Sequence, residues 1–142
     1  PYKCTRSNCK SIRKYKPRGY SVLIKDKKAE FTFYVPLKSK ARPRFVKGSV
    51  PYMPKDYMEW KADLTAQMKE WWTAPPLEKV KQVTLHFGGP ARHDGDNLCG
   101  AVLDAGLGVI WKDDRVSILP HGVWIWTKTK PKDSYIHLQV TY

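Results

Sequence analysis

The chain has 142 residues, with 26 Lys and Arg against 13 Asp and Glu, for a formal charge of +13 and a pI near 9.7. That length supports one domain with a real core and argues against a second, and no apolar run reaches the roughly 20 residues that span a bilayer. The charge calls for a polyanionic partner, and the lack of a membrane span or a signal-peptide apolar core points to an intracellular protein.

The surplus charge lies upstream. Residues 1–47 carry 15 basic residues and two acids, Asp26 and Glu30, whereas the remainder holds 11 of each. Residues 1–20 are basic, interrupted by Pro17 and Gly19 and without apolar periodicity, which predicts an N-terminal arm ahead of a domain over 21–142. In it Arg13, Lys14, Lys16 and Arg18 alternate with Tyr15 and Tyr20, a composition suited to DNA phosphates and bases or to a solvated tail. Cys4 and Cys9 are expected to be free thiols; a zinc clamp across a dimer or a disulfide are the alternatives. With Cys99 the three cysteines form no disulfide framework, in keeping with a reducing compartment.

Ser21–Lys25 reads as a short strand and Phe31–Val35 as a stronger one, ended by Pro36. A loop with four prolines follows. It presents Lys38, Lys40, Arg42, Arg44 and Lys47, charges held on a stiffened backbone and suited to phosphate contacts. From Lys55 to Trp72 the spacing of Tyr57, Trp60, Leu64, Met68 and Trp71 predicts a helix with an aromatic core stripe. Lys79–Phe87 alternates as a strand that Gly88, Gly89 and Pro90 should end, and His86 is expected to be an ordinary half-exposed strand histidine.

Asp94 or Asp96 then caps a second helix with the apolar stripe Leu98, Ala101, Val102 and Ala105. Its other face carries Asp96, Gly100 and Asp104, and Gly106 and Gly108 end it. Gly122–Thr127 and Ser134–Tyr142 alternate as two last strands, with TKPKD between them as a hairpin loop. Trp124 and Trp126 share a face, as core or interface.

Five carboxylates, Asp94, Asp96, Asp104, Asp113 and Asp114, crowd into residues 92–115 of this basic chain. Such crowding raises their pKa values and repels, unless a cation shares them. Oxygen-only ligands suit Mg2+ or Mn2+, and an acidic metal-competent pocket in a basic protein suggests phosphodiester hydrolysis. Asp94 and Asp96 sit at a strand-to-helix turn where both can face one metal, and Asp113 or Asp114 arrives from a second turn. A structural capping pair plus a solvated acidic turn is the alternative.

The strings DGDNL, LDA and WKDD, preceded some fifty residues earlier by KARPRF, closely resemble the RusA-type Holliday junction resolvases. The resemblance runs from about Phe31 to the C-terminus. It implies metal-binding catalytic roles for Asp94, Asp96 and Asp114, supporting roles for Asn97, Asp104 and Asp113, Mg2+ or Mn2+ as cofactor, and no organic cofactor. It also implies a compact α/β (α+β) homodimer on a mixed, largely antiparallel sheet with two main helices. Where that family places a catalytic lysine this chain has Gly100, for which Lys112, Arg92 or Arg115 would have to substitute. The expected function is therefore metal-dependent cleavage of four-way DNA junctions in recombination and repair. A junction-binding protein that has lost catalysis with its lysine, and a generic basic nucleic-acid module with structural aspartates, are the alternatives.

Overall fold

A computed structural model describes residues 26–142. The arm, the Ser21–Lys25 strand, Cys4 and Cys9 lie outside the described residues. The chain forms an α+β domain in which β1 (Lys28–Phe33), α1 (Lys55–Trp71), β2 (Gln82–Gly89), α2 (Gly95–Gly106), β3 (Gly122–Lys128) and β4 (Tyr135–Thr141) follow in order, with a 3-10 turn at Pro131–Asp133. The sheet is mixed, in the order β1-β4-β2-β3. β4 pairs antiparallel with both β1 and β2, and β3 pairs parallel with β2.

Alternation buries one face of the sheet. Phe33, Val83, Leu85, Phe87, Ile136, Leu138 and Val140 are buried with Tyr57, Trp60, Leu64 and Met68 of α1 and Leu98, Ala101, Val102 and Ala105 of α2. The opposite face carries polar pairs, Thr32 bonded to His137 at 2.7 Å and His86 to Thr127 at 2.7 Å, with Val123 and Ile125 exposed at its β3 edge. Burial of so many large apolar side chains, at roughly 1.5–3 kcal/mol each, is the main stabilising term for such a domain. α1 ends where Trp72 turns extended just before Pro75 and Pro76, its N–H still bonded to the Met68 carbonyl at 2.7 Å.

Two expectations need correction. The first strand lies three residues earlier than Phe31, because Lys28 to Phe33 pairs with Thr141 to Ile136, while Val35 and Leu37 enter the core from an irregular segment. The last two strands do not form a hairpin. They flank β2 on opposite sides, and the chain between them crosses the end of β2 through the Pro131 turn, with Thr129 N–H donating to the Gly89 carbonyl at 3.2 Å.

Gly88 and Gly89 explain the crossing. They are the last two residues of β2 rather than its terminators. A Cβ on Gly88 would run into the Tyr135 ring, and one on Gly89 would lie 2.5 Å from Leu37 Cδ1 and 3.3 Å from Ser134 Oγ. The chain can pass over only because nothing projects there. Gly88→Ala is therefore expected to cost about 1–3 kcal/mol by overpacking, read as a lower urea midpoint at unchanged slope; unaltered stability would mean that Tyr135 moves aside freely.

Candidate active site

The site is built around the N-terminal turn of α2. Asp94 is the N-cap residue in extended conformation, and its backbone carbonyl accepts the first helical hydrogen bond from Leu98 N–H at 3.0 Å. Its side chain makes no capping bond. Instead Asn97 Nδ2 donates to Asp94 Oδ2 at 3.3 Å, and Asn97 N–H donates to Asp96 Oδ1 at 2.9 Å. One asparagine thus steadies both carboxylates. Both aspartates are exposed.

Between the two aspartates, Gly95 admits Trp124. A Cβ on Gly95 would overlap the indole, so the ring of Trp124 lies directly on the backbone that joins them. In β3 the residue pairs with Leu85 and Trp126 pairs with Phe87, which puts both tryptophans on the helix side of the sheet. Trp124 is still 51% exposed because β3 is an edge strand. It also walls a cleft of about 170 Å³ whose lining includes Asp114, Cys99, Leu103 and His121. Trp124 therefore stands between the Asp94–Asp96 turn and the turn that carries Asp114.

That second turn is fixed from below. Trp111 is fully buried, its indole packed over Gly106 and its Nε1 donating to the Leu103 carbonyl at 3.0 Å. Leu77 N–H donates to the Ile110 carbonyl at 2.8 Å and Lys112 N–H to the Leu77 carbonyl at 2.9 Å. Beyond this bridge the acids separate by partner. Asp113 pairs with Arg115 at 2.5 Å and Lys112 with Glu78 at 3.3 Å, whereas Asp114 has no cationic partner among the described residues.

Asp104 belongs to a different group. Its carboxylate, only 19% exposed, accepts from Lys40 Nζ at 3.1 Å and from the Tyr57 hydroxyl at 3.2 Å. Burial, followed by the Asp104 charge, pushes the Tyr57 hydroxyl up to about 12, so it stays a donor. Lys40 is anchored twice, since its N–H also donates to the Asn97 carbonyl at 2.9 Å. Ser39 Oγ and His93 Nδ1 share a hydrogen bond of 2.9 Å that ties the same loop to the turn before α2. Burial, with Arg92 and Lys38 nearby, lowers the His93 pKa against the pull of Asp94 and favours the neutral ring.

Of the basic residues read as DNA contacts, Arg13, Lys14, Lys16 and Arg18 lie outside the described residues. Lys38 is paired with Asp56 and Lys40 with Asp104. Arg42, Arg44 and Lys47 are exposed without a carboxylate partner among the described residues. They sit at the base and tip of a loop closed by paired backbone hydrogen bonds between Arg44 and Tyr52, 2.7 and 3.0 Å long, and turned at Gly48 with φ +85°. None of the three residues expected to stand in for a lysine at position 100 is shown doing so: Lys112 and Arg115 are committed elsewhere, and Arg92 is exposed.

For a divalent cation the donors fit in kind. Asp94, Asp96 and Asp114 offer hard carboxylate oxygens that no cation of the described residues neutralises. No three His, Cys, Asp or Glu of the described residues are gathered closely enough to form a ready metal group. Sequence reasoning missed Trp124, Tyr57, Ser39 and His93 as parts of the site. Only Gly95, a small residue between two acids, hinted that something large lies there.

Exposed carboxylates at one helix end and the exposed cations Arg42, Arg44 and Lys47 are groups of the kind that phosphodiester chemistry uses. The family model of Endodeoxyribonuclease RusA matches residues 34–132, and the chain belongs to that family. Membership places it among endonucleases that resolve Holliday junctions and act on branched DNA. No curated protein matches the chain.

Cys99 provides a check on this geometry. Burial, and then the Asp96 charge, push its thiol up to about 11 from an ordinary 9.0. At pH 8 its thiolate fraction should fall well below that of an unhindered thiol, and alkylation by iodoacetamide should slow about 10-fold, since a more basic thiolate is also the better nucleophile. Peptide-resolved mass spectrometry should show the rate recovering in urea; fast labelling of the folded protein would contradict the partial burial of Cys99 beside Asp96.

Proposed function

We propose that this chain is a Mg2+- or Mn2+-dependent endonuclease that cuts four-way DNA junctions as a homodimer inside the cell. The observation that carries the proposal is the set of three carboxylates, Asp94, Asp96 and Asp114, that no cation of the described residues pairs, in a chain of charge +13. These residues would hold the metal, which when bound supplies an activated water and neutralises charge on the phosphate. Asn97 orients Asp94 and Asp96 through its side chain and N–H. Trp124 covers the backbone between them and keeps that side of the turn apolar. Arg42, Arg44 and Lys47 would bear on backbone phosphates, binding by charge and shape rather than by base sequence.

A junction needs two symmetric cuts, and two-fold symmetry provides two equivalent sites. β3 is an edge strand with Val123, Ile125 and both tryptophans exposed, the kind of edge that a second chain covers. The absence of a lysine at position 100 favours a second reading, a junction-binding protein without efficient cleavage.

A labelled four-way junction, incubated with Mg2+ or with chelator, separates the readings. Metal-requiring cleavage supports the nuclease, tight binding without cleavage the second reading, and no preference for junction over duplex a generic module. Asp96→Asn and Asp114→Asn should each lower cleavage by about 100-fold or more, since each removes a charge that acts in the transition state, while junction binding persists. Unchanged cleavage would remove that residue from the site. Replacing Arg42 and Arg44 together by alanine should weaken binding to all sequences and reduce the slope of log K against log salt by about two; an unaltered slope would assign these charges to solvation.

A further inference from the structure

Lys40 lies across α2 at Gly100. A Cβ at position 100 would come within 3.1 Å of Lys40 Cδ and 3.8 Å of Lys40 Cβ, so the aliphatic stem of the lysine runs over the helix where a side chain would otherwise project. Both ends of the residue are fixed. Its N–H is bonded to Asn97, the residue that also holds Asp94 and Asp96, and its ammonium is bonded to Asp104, one turn beyond Gly100. Asp104 is in turn held by Tyr57.

An ammonium has three N–H donors, and Asp104 accepts one of them. Lys40 is 45% exposed at the side chain, which leaves the others open to an incoming anion. The cation thus stands on the helix face shared by Asp96, Gly100 and Asp104. Resting on the nuclease reading, we propose that Lys40, delivered from the loop and not from the helix, is a catalytic residue that donates to a non-bridging oxygen of the scissile phosphate. Gly100 is the space that admits it. Asp104 and Tyr57 are positioning residues that set the height of the ammonium along α2. The missing helical lysine is therefore replaced in space by a residue sixty positions upstream, and the backbone of the same loop leads on to Arg42 and Arg44, which grip the flanking phosphates.

The test measures single-turnover cleavage of a labelled four-way junction with Mg2+ at saturating protein, and junction affinity separately in chelator. Lys40→Met keeps the stem packed over Gly100 and removes only the charge, and a thermal melt confirms that it folds. Its cleavage rate should fall about 100-fold, the usual loss on removing one preorganised donor, with the dissociation constant changed by no more than about threefold, as for loss of one among many phosphate contacts. Lys40→Ala/Gly100→Lys, with the stem cleared from above position 100, should return the rate to within about tenfold of wild type. Gly100→Lys in the presence of Lys40 crowds two ammonium groups and should give no gain.

Wild-type cleavage that Lys40→Met leaves within about threefold, too little for a lost transition-state donor, overturns this role and spares the nuclease reading. A loss explained wholly by weaker binding, or a folded double variant no faster than Lys40→Met, also overturns it. Absence of wild-type cleavage in either Mg2+ or Mn2+, with the junction bound, overturns the nuclease reading and this inference with it.

Discussion

The arrangement of the site depends on the burial of Trp111. Its indole fills the space that Gly106 leaves open at the end of α2, bonds the Leu103 carbonyl, and lies within the double backbone bridge to Leu77. Two segments are set by this one side chain: the helix that begins with Asp94 and Asp96, and the turn that carries Asp113 and Asp114. Their separation in sequence is short, but a flexible connection would let the like charges drift apart. Packing a large aromatic against a glycine fixes the end of the helix relative to the turn that follows it, because interiors of native density do not deform continuously.

The five carboxylates of the acidic segment are divided by what neutralises them. Asp113 has Arg115, and Asp104 has Lys40 and the Tyr57 hydroxyl. Asp94 and Asp96 receive neutral donors from Asn97, and Asp114 receives none from the described residues. Composition alone treats these residues alike. The fold distinguishes structural acids, whose charge is cancelled inside the molecule, from acids whose charge is left for something outside it.

How much was legible in the sequence follows the range of the contacts. Both helices showed their buried stripes, since positions three and four apart share a face whatever lies opposite. The alternation of β2 and β4 was visible for the same reason. The false hairpin arose because TKPKD is locally suitable for a turn, while the real partner of β4 is set by Gly88 and Gly89, which let Tyr135 and Leu37 close over the end of β2. Lys40 over Gly100 and Trp124 over Gly95 join residues 60 and 29 positions apart. No local pattern encodes such a pair: each glycine marks a gap, and the sequence does not say which side chain fills it.

The carboxylates left without a cation among the described residues also bear on the choice between a nuclease and a passive binder. A protein that only held branched DNA would gain from neutral side chains here, because each carboxylate near a phosphate is a repulsion added to a surface whose affinity comes from cations. Asn97 could bond amides as readily as acids, and the exposure of Asp94, Asp96 and Asp114 shows that the core does not require their charge. Nor is Asp94 needed as a helix cap, since its carboxylate makes no capping bond. If this face binds DNA, as proposed, acids that make no capping bond and repel an anionic ligand are costly there unless a cation comes between them and the phosphate. Three such acids in a chain that also exposes Arg42, Arg44 and Lys47 are an argument for the proposed cleavage over the passive-binding alternative.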